Sequence, residues 1–244
     1  MTRVLVHGAT GRLGSLIVKL AQADAELAVR PASRSTPLAP LLPDCDVAVD
    51  VSQPAGTLRV LEAATASGVP VVIGTTGHSP PELARIDEAA RKIAVLLAPN
   101  FSVAVNLLFW LTRHAARALG EPFRAEILEL HHELKKDAPS GTAKRLGEIV
   151  AEARGQEYDR VVRHGRHGAL ESRGSDELGM HAIRAGDIVG EHTVFLIGPA
   201  ERLELTHRAA SREIFARGAL RAARWLVSRR PGCYDMADVL SLPG

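Results

Sequence analysis

The sequence predicts an α/β protein: a Rossmann-type doubly wound parallel sheet joined to a second α+β domain with a mixed sheet. Three observations carry this. A short apolar strand runs directly into a glycine turn and a helix, the opening of a dinucleotide-binding βα unit. Strands and helices then alternate as far as Leu97, the pattern of a parallel sheet. From Ser102 onward the character changes, and later strands follow one another without intervening helices. Such runs indicate a mixed or antiparallel sheet.

The first strand is Thr2–His7, and the turn after it is Gly8-Ala9-Thr10-Gly11-Arg12-Leu13-Gly14. Its glycines allow a tight turn, close approach of a pyrophosphate, and helix-on-strand packing. Arg12 is placed to pair with a cofactor phosphate, and a helix over Ser15–Gln22 follows. The second strand, Glu26–Arg30, ends where a dinucleotide fold reads the adenosine ribose. Arg30, Pro31, Ala32, Ser33, Arg34 and Ser35 stand there, with no carboxylate. A basic segment accommodates the 2′-phosphate of NADP, whereas an acidic residue binds the NAD ribose. NADPH is therefore the preferred cofactor, NADH the alternative, and the reader is Arg30 or Arg34.

Further strands are expected at Asp46–Asp50, Val69–Ile73 and Ile93–Leu97, with helices at Thr57–Gly68 and Pro80–Arg91. In such sheets the ligand lies beyond the carboxyl ends of the strands. The segments falling there are the Gly8 turn, Gly74-Thr75-Thr76-Gly77, and Ala98-Pro99-Asn100-Phe101. All are small, polar or turn-forming, as a dinucleotide lying along one sheet edge requires.

A long amphipathic helix over Val103–Leu119 opens the second region, ending at Gly120. The alternating strand Arg124–Leu130 leads into His131 and His132. Lys135 lies four residues beyond His131, and Ala138-Pro139-Ser140-Gly141-Thr142 reads as a turn opening a helix over Ala143–Val150. First-turn amides at Gly141 and Thr142, with the positive end of the helix dipole behind them, form an anion pocket. Beside a titratable His and a Lys, that pocket makes an acid/base site for an acidic substrate. A metal site is disfavoured, because no H-x-x-x-H and no nearby Cys accompanies the pair. The basic, glycine-rich stretch Arg160–Gly179 reads as a mobile loop. Strands at Met180–Arg184, Glu191–Ile197 and Glu201–His207, a helix over Ser211–Val227 and a tail at Tyr234–Leu240 complete the chain.

Composition narrows the function classes. In 244 residues, 46% hydrophobic and 24% charged is ordinary globular composition. A net charge of +2 gives no general pull toward nucleic acid, and 4% aromatics argues against base-stacking surfaces. No apolar run approaches the ~18 residues of a membrane span. No signal peptide precedes the first strand, and Cys45 and Cys233 are lone thiols, so a cytoplasmic location is expected.

These motifs together resemble the 4-hydroxy-tetrahydrodipicolinate reductase (dihydrodipicolinate reductase) family of the bacterial diaminopimelate and lysine pathway. The resemblance rests on Gly8–Gly14, Gly74–Gly77, Ala98–Val103, Glu129-x-His131-His132-x-x-Lys135-x-Asp137-Ala-Pro-Ser-Gly-Thr142, Arg184–Thr193, Thr206–Arg212 and Tyr234–Leu240. It runs almost end to end and in order, and the block from His131 to Thr142 is its most specific part. It implies a dinucleotide-binding domain over residues 1–101 and 211–244, and a domain over 102–210 that binds a dicarboxylate substrate and assembles a homotetramer. It also implies that His131 is the catalytic acid/base, Lys135 the proton donor, and His132, Ser140, Gly141 and Thr142 the substrate-carboxylate contacts. Gly8, Ala9, Thr10, Gly11, Arg12 and Leu13, with Gly74, Thr75, Thr76 and Ala98 to Phe101, match its cofactor contacts. The chain departs from the family pattern in a shortened Arg30–Leu42 segment, where the family often has an acidic residue. The choice between NADPH and NADH therefore stays open at this point.

Overall fold

A computed structural model describes residues 1–169 and 172–243. The chain divides into two compact units, Met1–Val103 with Arg212–Gly244, and Ala104–Ser211.

The first unit opens with β1 (Thr2–His7), α1 (Arg12–Gln22) and β2 (Leu27–Ala32), then a short 3-10 turn over Leu42–Asp44. There follow β3 (Val47–Asp50), α2 (Pro54–Ser67), β4 (Val71–Ile73), α3 (Pro80–Ala90) and β5 (Ala94–Leu97). Every strand pair in this sheet is parallel, in the order β2-β1-β3-β4-β5 and then a sixth strand from the tail. The order reverses between β1 and β3, so that is the topological switch point, where doubly wound sheets bind ligands. Val4, Val6, Val47, Val49, Val72 and Leu96 face one side of the sheet, and Leu5, Ala48, Val71, Ile73 and Val95 the other. Strands buried on both faces have to read as continuous apolar runs, and these do.

Helix ends follow local chemistry. α2 starts at Pro54, because proline at the first helical position gives up an amide that would be unpaired anyway. It stops at Gly68 in the left-handed conformation, φ 69°. Ser79 and Glu82 form a reciprocal capping box on α3.

The second unit contains α4 (Val103–Leu119, its first residue counted with the first unit), β6 (Arg124–His131), α5 (Gly141–Ala153) and α6 (Tyr158–Val161). It continues with β7 (Val162–His164), β8 (Leu178–Arg184), β9 (Gly190–Gly198) and β10 (Glu201–Ala209). The sheet order is β10-β9-β6-β8-β7, with β9 antiparallel to both neighbours and the β6-β8-β7 pairs parallel. It is the mixed sheet expected. Ala125, Ile127, Met180, Val194 and Leu196 pack beneath Leu108 and Ala116 of α4 and Leu146 and Val150 of α5.

Back in the first unit, α7 (Glu213–Leu226) packs on the parallel sheet, and β11 (Gly232–Tyr234) adds its sixth strand beside β5. α8 (Met236–Leu240) is capped by Asp235.

The stretch read as a loop over Arg160–Gly179 is corrected in part: it contains the end of α6, the strand β7 and the start of β8. Val162, Arg163 and His164 pair with Leu178, Gly179 and Met180. Its arginines are also not simply solvated. Arg166 and Arg173 donate to the Glu126 carboxylate, which their hydrogen bonds hold at a pKa of about 2 against the upward push of burial. Leu170 and Glu171 of that stretch lie outside the described residues.

Candidate active site

The chemistry of the second unit is arranged by the period of the β-pleat. Along β6 the odd-numbered residues face the helices, and that face ends in Glu129 and His131. The ladder puts His192 of β9 opposite Glu129, His207 of β10 opposite His192, and Arg184 of β8 opposite His131. Five side chains, far apart in sequence, therefore share one face at one end of the sheet.

Glu129 is the centre of this group and is fully buried. Its Oε2 accepts from His131 Nδ1 at 2.5 Å and from Arg184 Nη1 at 2.9 Å. Its Oε1 accepts from Arg184 Nη2 at 2.7 Å and from the Ser140 amide at 3.0 Å. Burial alone would raise the pKa of this carboxyl; the bonds from His131, Arg184 and Ser140 overcome that and hold it at about 2. One carboxylate thus joins the end of β6 to the start of α5.

Ser140 is the N-cap of α5. Its hydroxyl accepts from the Ala143 amide at 3.2 Å and lies 3.0 Å from His192 Nε2. Burial, aided by the neighbouring His131 charge, pushes His192 down to about 3, so it is neutral at ordinary pH. The His131 and His192 rings meet edge to face, centroids 5.2 Å apart. α5 begins at Gly141, so Gly141 and Thr142 stand in its first turn as expected, and Ser140 caps it. With the Ser140 amide and hydroxyl already engaged, Gly141 is the exposed amide at the head of the helix. No acidic side chain stands in that first turn, and the dipole there favours an anion.

His132 donates its amide to Ile188 O at 2.7 Å. Lys135 accompanies the group on the following turn, its Nζ donating to Asp137 Oδ1 and Oδ2 at 2.8 and 2.9 Å. The hydrogen bond from that ammonium lowers the Asp137 pKa. Arg184 also donates to the Asp137 carbonyl, tying the turn to β8.

In the first unit, the three expected segments stand at the carboxyl ends of β1, β4 and β5. Gly8 has φ 83°, and a Cβ there would lie 2.6 Å from Val51 O; a Cβ on Gly14 would lie 2.1 Å from Gly8 O. Only glycine permits this turn, and Gly11 as the N-cap has no side chain to bond the first-turn amides of α1. Such a bare helix start fits a pyrophosphate. Among the described residues, the Arg12 guanidinium has no partner. Gly74 makes room for Phe101, whose Cε2 would be 2.3 Å from a Cβ there, so two of the segments pack together. Asn100 Oδ1 accepts the Ser102 amide at 2.8 Å and closes the third. Ala98 is buried, while Pro99 and Thr76 are exposed.

Beneath these loops lies a buried cluster that was not anticipated. Asp50 Oδ1 takes His7 Nδ1 at 2.7 Å and the Ser52 hydroxyl at 2.6 Å; Oδ2 takes the Thr57 and Thr75 hydroxyls at 2.6 and 2.7 Å. Burial opposes the Asp50 charge, but these four bonds lower its pKa nonetheless. Thr75 is thereby a structural member of the edge.

The two candidate arginines part company. Arg30 lies within β2 and pairs with Asp44 at 3.2 Å. Arg34 lies just past the end of β2, close in sequence to Ala32, whose carbonyl accepts the amides of Gly8 and Ala9 at 3.1 Å each. Arg59 of α2 donates to the Arg34 carbonyl, adding a second positive group. Glu129 stood in the motif without a role, and Arg184, His192, Asp50 and Arg59 had none either. Each is joined to the site by strand register or by a tertiary contact, for which a single sequence carries no signal.

Comparison with known proteins identifies the family. The family model described as the dihydrodipicolinate reductase N-terminus matches residues 2–101, and the one for its C-terminus matches residues 104–240. A 4-hydroxy-tetrahydrodipicolinate reductase of Anaeromyxobacter dehalogenans (strain 2CP-C) is 46% identical, over 100% of this chain and 99% of its own. That of Geotalea uraniireducens is 48% identical, over 98% and 90% respectively. The solved dipicolinate-bound dihydrodipicolinate reductase from Paenisporosarcina sp. TG-14 shares the fold with a TM-score of 0.79, at 22% identity and 98% coverage of both chains. With both halves of the chain matched in order and relatives close to half identical along its whole length, the chain belongs to the dihydrodipicolinate reductase family.

Proposed function

We propose that the chain catalyses the reaction its family is named for. This is the NAD(P)H-dependent reduction of 4-hydroxy-tetrahydrodipicolinate to tetrahydrodipicolinate, in diaminopimelate and lysine biosynthesis. The observation that carries the reading at residue level is the Glu129 bridge, which makes an acid/base histidine and an anion-binding helix start one rigid unit.

The substrate is a cyclic imine with two carboxylates. A bound nicotinamide supplies the hydride. Water is lost with the 4-hydroxyl, negative charge develops toward the ring nitrogen, and a proton has to reach the ring system. His131 serves as acid/base and Lys135 as proton donor and charge stabiliser. Gly141 and Thr142 at the head of α5, with Ser140 and His132, receive the substrate carboxylate. Residues Gly8 to Leu13, Gly74 to Thr76 and Ala98 to Phe101 hold the cofactor.

For the cofactor, NADPH is the preferred reading, with Arg34 as the residue that meets the 2′-phosphate. Arg34 follows the carboxyl end of β2, has Arg59 beside it, and no carboxylate stands in the segment. Arg30 is instead taken by Asp44.

The assembly we propose is a homotetramer formed through the helix-free face of the mixed sheet. That face carries Leu128, Leu130 and Phe195, half-buried, with Ile183 42% and Ile197 39% exposed. Exposed large apolar side chains gathered on one sheet face suit a protein partner. A cytoplasmic location fits the unpaired Cys45 and Cys233. No helix among the described residues is long and apolar enough to cross a membrane, and no group of His, Cys, Asp and Glu among them is fit to hold a metal.

The test is oxidation of NADPH, and of NADH at equal concentration, with substrate generated freshly from pyruvate and aspartate semialdehyde. Turnover that disappears in His131→Ala and Lys135→Ala, with NADPH binding retained, is the expected result. Binding of NADPH without turnover in the wild-type protein would refute the reading.

A further inference from the structure

We propose that Glu129 is the positioning residue for His131, fixing the ring so that Nδ1 carries a proton directed into the sheet and Nε2 is the atom that exchanges protons with substrate. The inference deepens the acid/base role given to His131 above and rests on it.

Three observations carry it. The Glu129 carboxylate is fully buried and only 2.5 Å from His131 Nδ1, so that nitrogen is committed to a hydrogen bond inside the protein. A carboxylate accepts and never donates while ionised, so the proton of this bond sits on the ring. The opposite edge of the ring is set just as closely. Gly190, the first residue of β9, leaves room where a Cβ would come within 2.9 Å of Nε2. The ring is therefore held between a charged acceptor and a residue with no side chain.

Arg184 completes the device. Its fork engages both Glu129 oxygens, at 2.9 and 2.7 Å, so the carboxylate stays ionised and cannot rotate. With the Ser140 amide, the carboxylate receives four N–H donors. A neutral amide at this position has one oxygen and a donor group, and cannot satisfy them all. His192, whose ring meets that of His131 edge to face, is neutral, and Lys135 on the following turn pairs with Asp137. Glu129 is thus the carboxylate that the His131 ring faces, and it shares its charge between that ring and the Arg184 guanidinium.

The experiment is a double-mutant cycle on the full-length enzyme, with Glu129→Gln, His131→Ala and the pair. A general acid or base contributes about 10²–10⁴-fold to the rate, so loss of its orientation lowers kcat by roughly 10²-fold. KM for NADPH is expected to stay within about 2-fold, since the cofactor contacts lie on other residues. In the His131→Ala background, Glu129→Gln costs far less than in the wild type, because its effect on kcat runs mainly through the missing ring and only its hold on the Ser140 amide remains to be lost. In the ¹⁵N-labelled protein, the strongly hydrogen-bonded Nδ1–H resonance of His131 is lost in Glu129→Gln.

A multiplicative loss in the double mutant would show a structural role alone and overturn the inference. So would a wild-type kcat in Glu129→Gln when His131→Ala is inactive. If His131→Ala itself keeps full activity, it is the acid/base reading of His131 that fails. Should Glu129→Gln not fold, Glu129→Asp keeps the charge and withdraws it by one methylene. The same cycle then applies, and an Asp variant with the kcat and the Nδ1–H signal of the wild type overturns the inference.

Discussion

Asp50 offers the sharpest test of how the cofactor edge is built. In Asp50→Asn the shape is kept, but one of the two acceptor oxygens becomes a donor. Each carboxylate oxygen now serves two donors: His7 and Ser52 on one, Thr57 and Thr75 on the other. Two of the four therefore lose their acceptor. A hydrogen bond to a charged group contributes about 1.5–3 kcal/mol, and stranding a buried donor costs about 1–3 kcal/mol. Because the hydroxyls can rotate toward other partners, the expected loss is about 3–5 kcal/mol. This is a large share of the about 5–15 kcal/mol by which domains are stable. The readout is urea unfolding followed by Trp225 fluorescence in a Trp110→Phe background, since Trp225 packs in the same unit as Asp50. The pH dependence gives a second readout. A folded-state pKa below the unfolded value of about 4 means the carboxylate stabilises the protein fully above pH ~4, and that this contribution fades as pH falls through the folded value. The stability gap between wild type and Asp50→Asn should thus narrow below pH ~4. A gap under about 1 kcal/mol at neutral pH, or one unchanged in acid, would refute the argument.

Other expectations follow from the same geometry. Lys135→Ala is expected to lower kcat far more than it raises KM; steady-state kinetics with an effect on KM alone would move Lys135 to a binding role. Arg34→Ala should raise KM for NADPH by about 10–100-fold, the equivalent of one charge-assisted bond, and leave KM for NADH nearly unchanged. An equal effect on both cofactors would remove Arg34 from the 2′-phosphate. Gly74→Ala drives a methyl into the Phe101 ring, where the distance would be 2.3 Å. It should cost about 1–3 kcal/mol in thermal unfolding and weaken NADPH binding in titration calorimetry.

The sequence was most informative where physics acts locally. The strand, glycine turn and helix at Thr2–Gln22 are specified by adjacent residues, since only glycine tolerates the approach of Gly8 to Val51 and of Gly14 to Gly8. The buried strands of the parallel sheet are apolar because both faces are covered, and that too shows in the residues themselves. Ser140 followed by Gly141 marks the start of a helix downstream of His131, and Ser140 does cap it. What escaped was of two kinds. β7 and β11 are three residues each, too short to display a period, and exist only because β8 and β5 offer an edge to pair with. The remainder depends on register. Glu129, His192 and Arg184 form one site because the β6–β8 and β6–β9 ladders align them on one face, and a slip of one residue would send them to opposite faces. Likewise Arg30 and Arg34 are alike as residues, and tertiary contacts separate them: Asp44 stands beside Arg30, and Arg59 at the Arg34 carbonyl. The sequence by itself determined which chemical groups the protein carries and which local turns hold them; the tertiary structure alone decided which of those groups meet, because pairing between distant strands is fixed by the packing of the whole sheet.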